Sequence, residues 1–385
     1  MPDPGFMIAL NQRDFEFPFD NGTRDICSAA NEQTYTKAPW WTCENIQLTA
    51  GGVTTPSAEV GTTYVIQVGI TGLPAQGGNT TPAAVQNVEG WVCYPNTVPG
   101  GASPTLVVPS MQNNKFVYFS NTTNTAPLVF WDPNDYQDPK EGGFVWVNLS
   151  PWTPTQEDFL EQSALGGHCC IIANAAGQAS LEDVEDPNSG EPVGLDINDN
   201  SQLAAAFNIC NSLYQGQRNI IIIPAPQGGQ IRRPGLVFLS GAPEGRTPLR
   251  TTVAVTAIDQ GSQVDPVVLK ALSSGPYAGL SLKPASSPPK SLRLARHDLK
   301  PRGWLAEIIH EAEEIVEELL GLEMQPFGGG HRLHLSLPAK GLQPLSMAVE
   351  LDPSESAGTV HAIDITQTDP NGARGGMRVG VVVTP

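Results

Sequence analysis

The chain has 385 residues, with Lys+Arg 21 against Asp+Glu 39, and its net charge of −18 argues against a general affinity for nucleic acid or an anionic membrane. Charged residues are only 16% while Gly (39) and Pro (35) are plentiful, which suits short strands joined by many turns and excludes a mainly helical protein. The length is too great for one β-sandwich and ample for two, and no run of about 18 apolar residues offers a membrane span.

Residues 1–40 are polar and irregular, and are expected to lie as an arm across the first domain or a neighbouring subunit. The opening MPDPGFMIALNQRDFEF has no basic segment followed by a long apolar core, so it does not read as a signal peptide. A place outside the cell or on a particle surface would then need another route, such as lysis or particle assembly; the alternative is cytoplasmic. Pro39-Trp40-Trp41 reads as a plug that anchors the arm.

Strand patterns fill a first domain, expected over 41–225. Thr62 to Thr71 alternates, with Tyr64, Ile66, Val68 and Ile70 on one face. Asn45–Leu48, Val85–Tyr94, Leu106–Val108, Phe116–Phe119, Leu128–Trp131 and Phe144–Leu149 follow the same logic. Cys169–Ala173 and Ile220–Ile223 are continuous apolar runs, and a strand apolar on both faces must be covered on both. Between them an acidic excursion carries Asp196, Asn198 and Asp199, whose alternating oxygens resemble a calcium loop but lack the Gly and closing Glu of an EF-hand. A solvated acidic loop is the competing reading.

Pro224-Ala-Pro-Gln-Gly-Gly reads as a linker, placed at 226–233, and the strand pattern restarts over 234–385. Its strands are expected at Leu236–Leu239, Arg250–Ile258, Gly279–Leu282, Arg332–Leu337, Leu345–Leu351, Thr359–Gln367 and Gly376–Val383. The closing pair of each half follows one plan. One segment breaks the pattern: 303–324 reads as an inserted amphipathic helix with Trp304, Ile308, Ile315 and Leu319 on its apolar face and glutamates opposite. That face packs on its own sandwich or docks onto a partner.

Catalytic motifs in the sequence are thin. His310-Glu311 opens like the zincin HExxH, but Glu314 stands where the second imidazole is needed. His331 and His334, three apart in a strand, point to opposite faces. There is no GxSxG, P-loop or dinucleotide fingerprint. Six cysteines (Cys27, Cys43, Cys93, Cys169, Cys170, Cys210) fit no zinc spacing and read as disulfide partners or as small buried hydrophobes, with Cys27–Cys43 the first bridge to test. His168 beside Cys169 reads as a buried structural histidine rather than a catalytic pair.

VNLSPWTP, GGHCCIIANA, an acidic Asp-Pro loop and QRNIIII occur in that order. They resemble the closing strands of bacterial CARDB-like, immunoglobulin-fold β-sandwich domains over roughly 45–225, and more weakly over 234–385 through HAIDITQ and GGMRVGVVV. The resemblance implies adhesion or scaffolding modules. The doubled Cys169-Cys170, the 178–217 insertion and the acidic helix depart from it, so it carries over no ligand site.

The expectation is therefore an all-β protein of two tandem immunoglobulin-like antiparallel sandwiches. Its function is expected to be non-enzymatic, structural or adhesive, as a subunit of an extracellular or particle-surface assembly that binds protein partners or itself. No cofactor is expected beyond Ca2+ at the acidic loop. A glycan-binding module using Trp91, Trp131, Tyr136 and Trp152 is the alternative, and a metal-dependent hydrolase the third reading.

Overall fold

The structure is a computed structural model that describes residues 5–8, 41–55, 57–73, 83–93, 111–112, 115–116, 118–120, 128–129, 143–155, 170–179, 191–194, 209, 212–240, 248–258, 263–273, 277–296, 325–327, 330–337, 342–372 and 374–385. The protein is all-β. Its first part runs through β1 (Gly5–Met7), β2 (Ile46–Ala50), β3 (Val53–Thr55), β4 (Val65–Leu73) and β5 (Ala83–Cys93). Short strands β6 (Met111–Gln112), β7 (Lys115–Phe116), β8 (Tyr118–Ser120) and β9 (Leu128–Val129) precede β10 (Phe144–Asn148), β11 (Cys170–Ala179), β12 (Glu191–Val193) and β13 (Gln215–Arg218).

Two sheets face each other here. In one, β4 is central, with β2 and β1 in succession along one edge and β10 along the other. In the other, β5 and β11 are central; β8 and β9 flank β5, while β13 and β12 flank β11. Ile66, Val68 and Ile70 of β4 meet Val88, Val92, Ile171 and Ala173 in one core, as the alternation in the sequence demands. A β2-β4-β10 sheet against β8-β5-β11-β13 is the immunoglobulin arrangement of strands A, B and E against C′, C, F and G.

The start of the chain differs from the polar arm read in its sequence. Phe6, Met7 and Ile8 are fully buried, and the Ile8 amide donates to the Leu213 carbonyl. Three consecutive apolar residues are enough to finish the edge of β4, and Gly216 leaves the room: a Cβ there would come within 2.9 Å of the Ile8 side chain. The rest of 1–40 before Trp41 lies outside the described residues.

The second part runs through β14 (Ile220–Pro226), β15 (Gln230–Ser240), β16 (Leu249–Ala257), helix α1 (Pro266–Leu272), β17 (Lys283–Pro284), β18 (Ser291–Arg296), β19 (Gln325–Phe327), β20 (Gly330–Leu337), β21 (Leu342–Glu350), β22 (Thr359–Thr368) and β23 (Arg374–Thr384). A seven-stranded sheet ordered β14-β23-β22-β16-β20-β19, with β17 also on β22, accompanies the three-stranded β15-β21-β18. Val253, Val255, Ile363, Ile365, Met347 and Val349 share its core. The pairings repeat those of the first sandwich. β15–β21 corresponds to β4–β10, β16 with β20 and β22 to β5 with β8 and β11, and β22–β23 to β11–β13.

Several elements depart from their sequence expectation. The run Ile220–Ile223, read as the close of the first sandwich, pairs in parallel with β23, and the shorter Gln215–Arg218 pairs with β11 instead. The stretch read as a linker holds a tight turn, closed by Gly229 N–H to the Pro226 carbonyl, and then the start of β15. Gly279–Leu282 is not a strand: the Leu280 amide turns back to the Tyr277 carbonyl, and pairing begins only at Lys283. Helix α1 was not foreseen, because seven residues are too few to display a helical period, although Asp265 as cap and Pro266 in the first turn mark its start. The expected helix over 303–324 lies outside the described residues.

Candidate functional site at the joint of the sandwiches

The strand that leaves the first sandwich as β13 enters the second as β14, and Asn219 lies between them. Asn219 is wholly buried. Its amide donates to the Trp41 carbonyl at 2.7 Å, its carbonyl accepts from the Arg378 amide at 3.0 Å, and its Nδ2 donates to the Gly376 carbonyl at 2.9 Å. One residue thus ties the entrance of the first sandwich to the closing strand of the second. Gly376 is required at this approach, since a Cβ would stand 2.6 Å from the Ile365 carbonyl and 2.8 Å from the Trp41 ring. Only a residue without a side chain lets the indole lie there.

Charged groups ring this joint and are spent on one another. Arg378 is a cation within the apolar run of β23, and it grips Asp364 of β22 through two hydrogen bonds of 2.8 Å. Its third contact reaches Asp265 Oδ2 at 3.1 Å, while Asp265 Oδ1 accepts from the amides of Val267 and Val268. Asp265 therefore caps α1 and pins it to the sheet. Burial would lower the guanidinium's proton affinity, but the Asp364 and Asp265 carboxylates more than reverse it, and Arg378 stays charged. Val267, Val268, Ala271 and Leu272 of α1 lie on Ile220, Ile222 and Val382, so both faces of the Ile220–Ile223 run are covered.

From the same helix, Lys270 stands 3.7 Å from Glu44 of the first sandwich. Burial pushes the Lys270 ammonium below its ordinary range, and Arg218 adds to this, against the pull of Glu44 and Cys43. The ensemble joins the two sandwiches through Asn219, Arg378 and the Lys270–Glu44 pair. Elsewhere, His361 is buried and its Nε2 lies 2.8 Å from Glu355, in the loop before β22, while Lys283 holds Ser356 of that loop.

The residues singled out in the sequence fare unequally. Asp196, Asn198 and Asp199 lie outside the described residues, as do Trp304, Ile308, Ile315 and Leu319, and also His168, Cys169, His310, Trp131 and Tyr136. Trp91 and Trp152 are buried at 0% and 2% exposure, so neither can stack on a sugar. His331 and His334 face opposite sides of β20, opposite Val255 and Thr252 respectively, and His334 Nδ1 bonds the Thr252 hydroxyl. Among the described residues no group of three His, Cys, Asp or Glu side chains could hold a metal ion, and no helix is long and apolar enough to cross a membrane.

Asn219, Arg378, Asp364, Asp265 and Gly376 were all missed. A usable signal exists for two of them: Asp364 in HAIDITQ and Arg378 in GMRVGVVV are lone, opposite charges in neighbouring apolar strands, where only a mutual pair makes burial affordable.

No protein-family model matches the chain, and no curated protein matches it. Among solved structures it is similar to the C-terminal domain of the Streptococcus pyogenes antigen I/II-family protein AspA, at 11% identity and a TM-score of 0.21, covering 88% of this chain and 100% of that one. The C-terminal domain of the Streptococcus agalactiae AgI/II polypeptide BspA is similar at 10% identity and a TM-score of 0.20, covering 88% and 99%.

Proposed function

We propose that this chain is a non-catalytic structural or adhesive protein, a two-sandwich subunit of an extracellular or particle-surface assembly. The observation that carries the reading is the shared strand 215–226 with its buried joint. Asn219, Trp41 and Gly376 fix the two sandwiches to each other, and the buried charges around them are consumed in that task. A stiff pair of sandwiches suits a spacer or scaffold, whereas an enzyme would need a cleft with unspent polar groups. The partners in this reading are other proteins or further copies of the chain, meeting at strand edges or at the acidic segments. The strongly acidic composition keeps such a surface-rich particle soluble.

Sedimentation velocity over a wide concentration range, with negative-stain electron microscopy at the top of it, tests self-assembly. A defined oligomer or filament is expected. A monodisperse monomer throughout, which also captures no partner from the particle or envelope fraction of its source, would sink the reading.

A further inference from the structure

The charge of the chain is unevenly divided. Residues 1–217 hold 23 of the 39 Asp and Glu but only 5 of the 21 Lys and Arg, so they carry the whole net charge of −18. Residues 218–385 hold 16 of each and are neutral as a whole. Seven of those 16 carboxylates fall within 307–323, which leaves the rest of the second sandwich basic. In the first part, 169–217 has no Lys, Arg or His, and 182–199 alone holds seven carboxylates. Some of the basic excess sits on one sheet face. Val253 and Val255 of β16 lie in the second core, so alternation turns Arg250, Thr252 and Ala254 to the other side. Their register partners Ser336, His334 and Arg332 of β20 share that side. Arg250 and His334 are exposed and the other four are half-buried. Among the described residues the carboxylate on this face is Asp364, and Arg378 takes it up.

We propose that the β16–β20 face docks onto the acidic first sandwich of a second copy, whose segment 182–199 supplies the carboxylates that meet Arg250, Arg332 and His334. The inference rests on the self-assembling form of the reading above and names its contact. Arginines and an imidazole set among hydroxyls suit an acidic partner and offer little to an apolar one. Single exposed ion pairs contribute little. The pull comes from the opposed fields of an acidic half and a basic face, which steer two chains head to tail. Like charge on the two first sandwiches keeps those halves apart. Because the two docking surfaces lie on different sandwiches, each docked copy leaves one of each unused, and the contact repeats along a row of copies.

The test is sedimentation velocity of the full chain at about 0.01 M and about 1 M salt, between which the screening length falls from about 30 Å to about 3 Å. Association is expected at the lower salt and its loss at the higher. Arg250→Glu with His334→Glu should weaken association at low salt about tenfold or more. Both side chains are exposed, so the thermal midpoint should hold. A second variant combines Glu182→Lys, Asp183→Lys, Glu185→Lys and Asp186→Lys, and should associate as poorly by itself. Mixed together, the two variants should associate again, because the reversed face of one then meets the reversed segment of the other. Oligomers that survive high salt and both variants overturn this contact and leave the assembly reading standing. A chain that is monomeric at both salts overturns the contact and self-assembly together. Should the lysine variant fail to fold, the salt series and the Arg250, His334 pair still decide.

Discussion

An aspartate followed by proline does the same work at three places in this chain. Asp265, Asp352 and Asp369 each accept a hydrogen bond from the amide two residues on, at Val267, Ser354 and Asn371. Proline fixes the backbone after the aspartate, and the carboxylate substitutes for a turn's missing acceptor. At Asp352 the Ser354 hydroxyl and amide both donate to the carboxylate and hold its pKa below the usual value. A depressed carboxyl contributes stability that is present above its unfolded value and is lost as pH falls through the lower, folded one. An NMR titration of the Asp352 carboxyl should therefore show a midpoint below that of a free aspartate, and Ser354→Ala should raise it; an unchanged midpoint would refute the account. At Arg378 the stakes are higher, because the guanidinium is buried against two carboxylates. Arg378→Met would leave Asp265 and Asp364 facing each other without a cation. Since both carboxylates retain some solvent contact, a loss of about 3 kcal/mol is expected, at the low end for a broken buried pair. It should appear as a lower denaturant midpoint at unchanged slope.

Among the elements, β14 shows how an edge is kept from pairing further. It bonds β23 on one side, and no strand among the described residues pairs with its other side. The Asn219 and Ala225 carbonyls both turn toward β23, accepting from the Arg378 amide and the Thr384 hydroxyl. By alternation Pro224 and Pro226 address the open side, where neither has an N–H to offer another strand. Pro224→Val with Pro226→Val restores two donors there. The double variant should self-associate on mild heating, seen as light scattering at temperatures where the parent chain stays clear; equal scattering would mean the edge is guarded by something else. The same strand marks the boundary of what the sequence discloses. Four consecutive isoleucines require cover on both faces, and the two cores on either side of β14 supply it. Periodicity names no partner, however, and Asn219, last of the polar Gln217-Arg218-Asn219 before the isoleucines, gives no hint that the strand changes sheets there. The alternation of Tyr64, Ile66, Val68 and Ile70 was legible because each lies over one core. Helix α1 was not, because its apolar face is only two turns long and its cap matters more than its period. The joint was illegible for a further reason: its members come from positions 41, 219, 265, 364 and 376–378, and only the fold brings them together.

At the scale of the molecule, the joint decides whether two sandwiches unfold as one body or as two. Repeated domains on a flexible tether melt independently, whereas a shared strand with a buried joint couples them. Among the described residues the coupling includes the Asn219 hydrogen bonds, the Trp41 ring over Gly376, and the Glu44–Lys270 pair across the gap. The last of these is partly solvated and contributes little. Asn219→Ala would take the donor from the Gly376 carbonyl, at a cost of about 1–3 kcal/mol. Gly376→Val acts from the other side, forcing the indole away from β23 at a similar cost, on the order of 1–3 kcal/mol. Asn219→Ala leaves the packing within each sandwich untouched, whereas Gly376→Val also presses on the Ile365 carbonyl of β22 and loosens the second sandwich's own ladder. Differential scanning calorimetry of the unsubstituted chain should then give one cooperative transition, and each variant should give two, with the pair of substitutions separating them no further than either alone. A variant that still melts in a single, merely lower transition would show that the two cores are coupled through the backbone of 215–226 itself, with the joint adding stability and no communication.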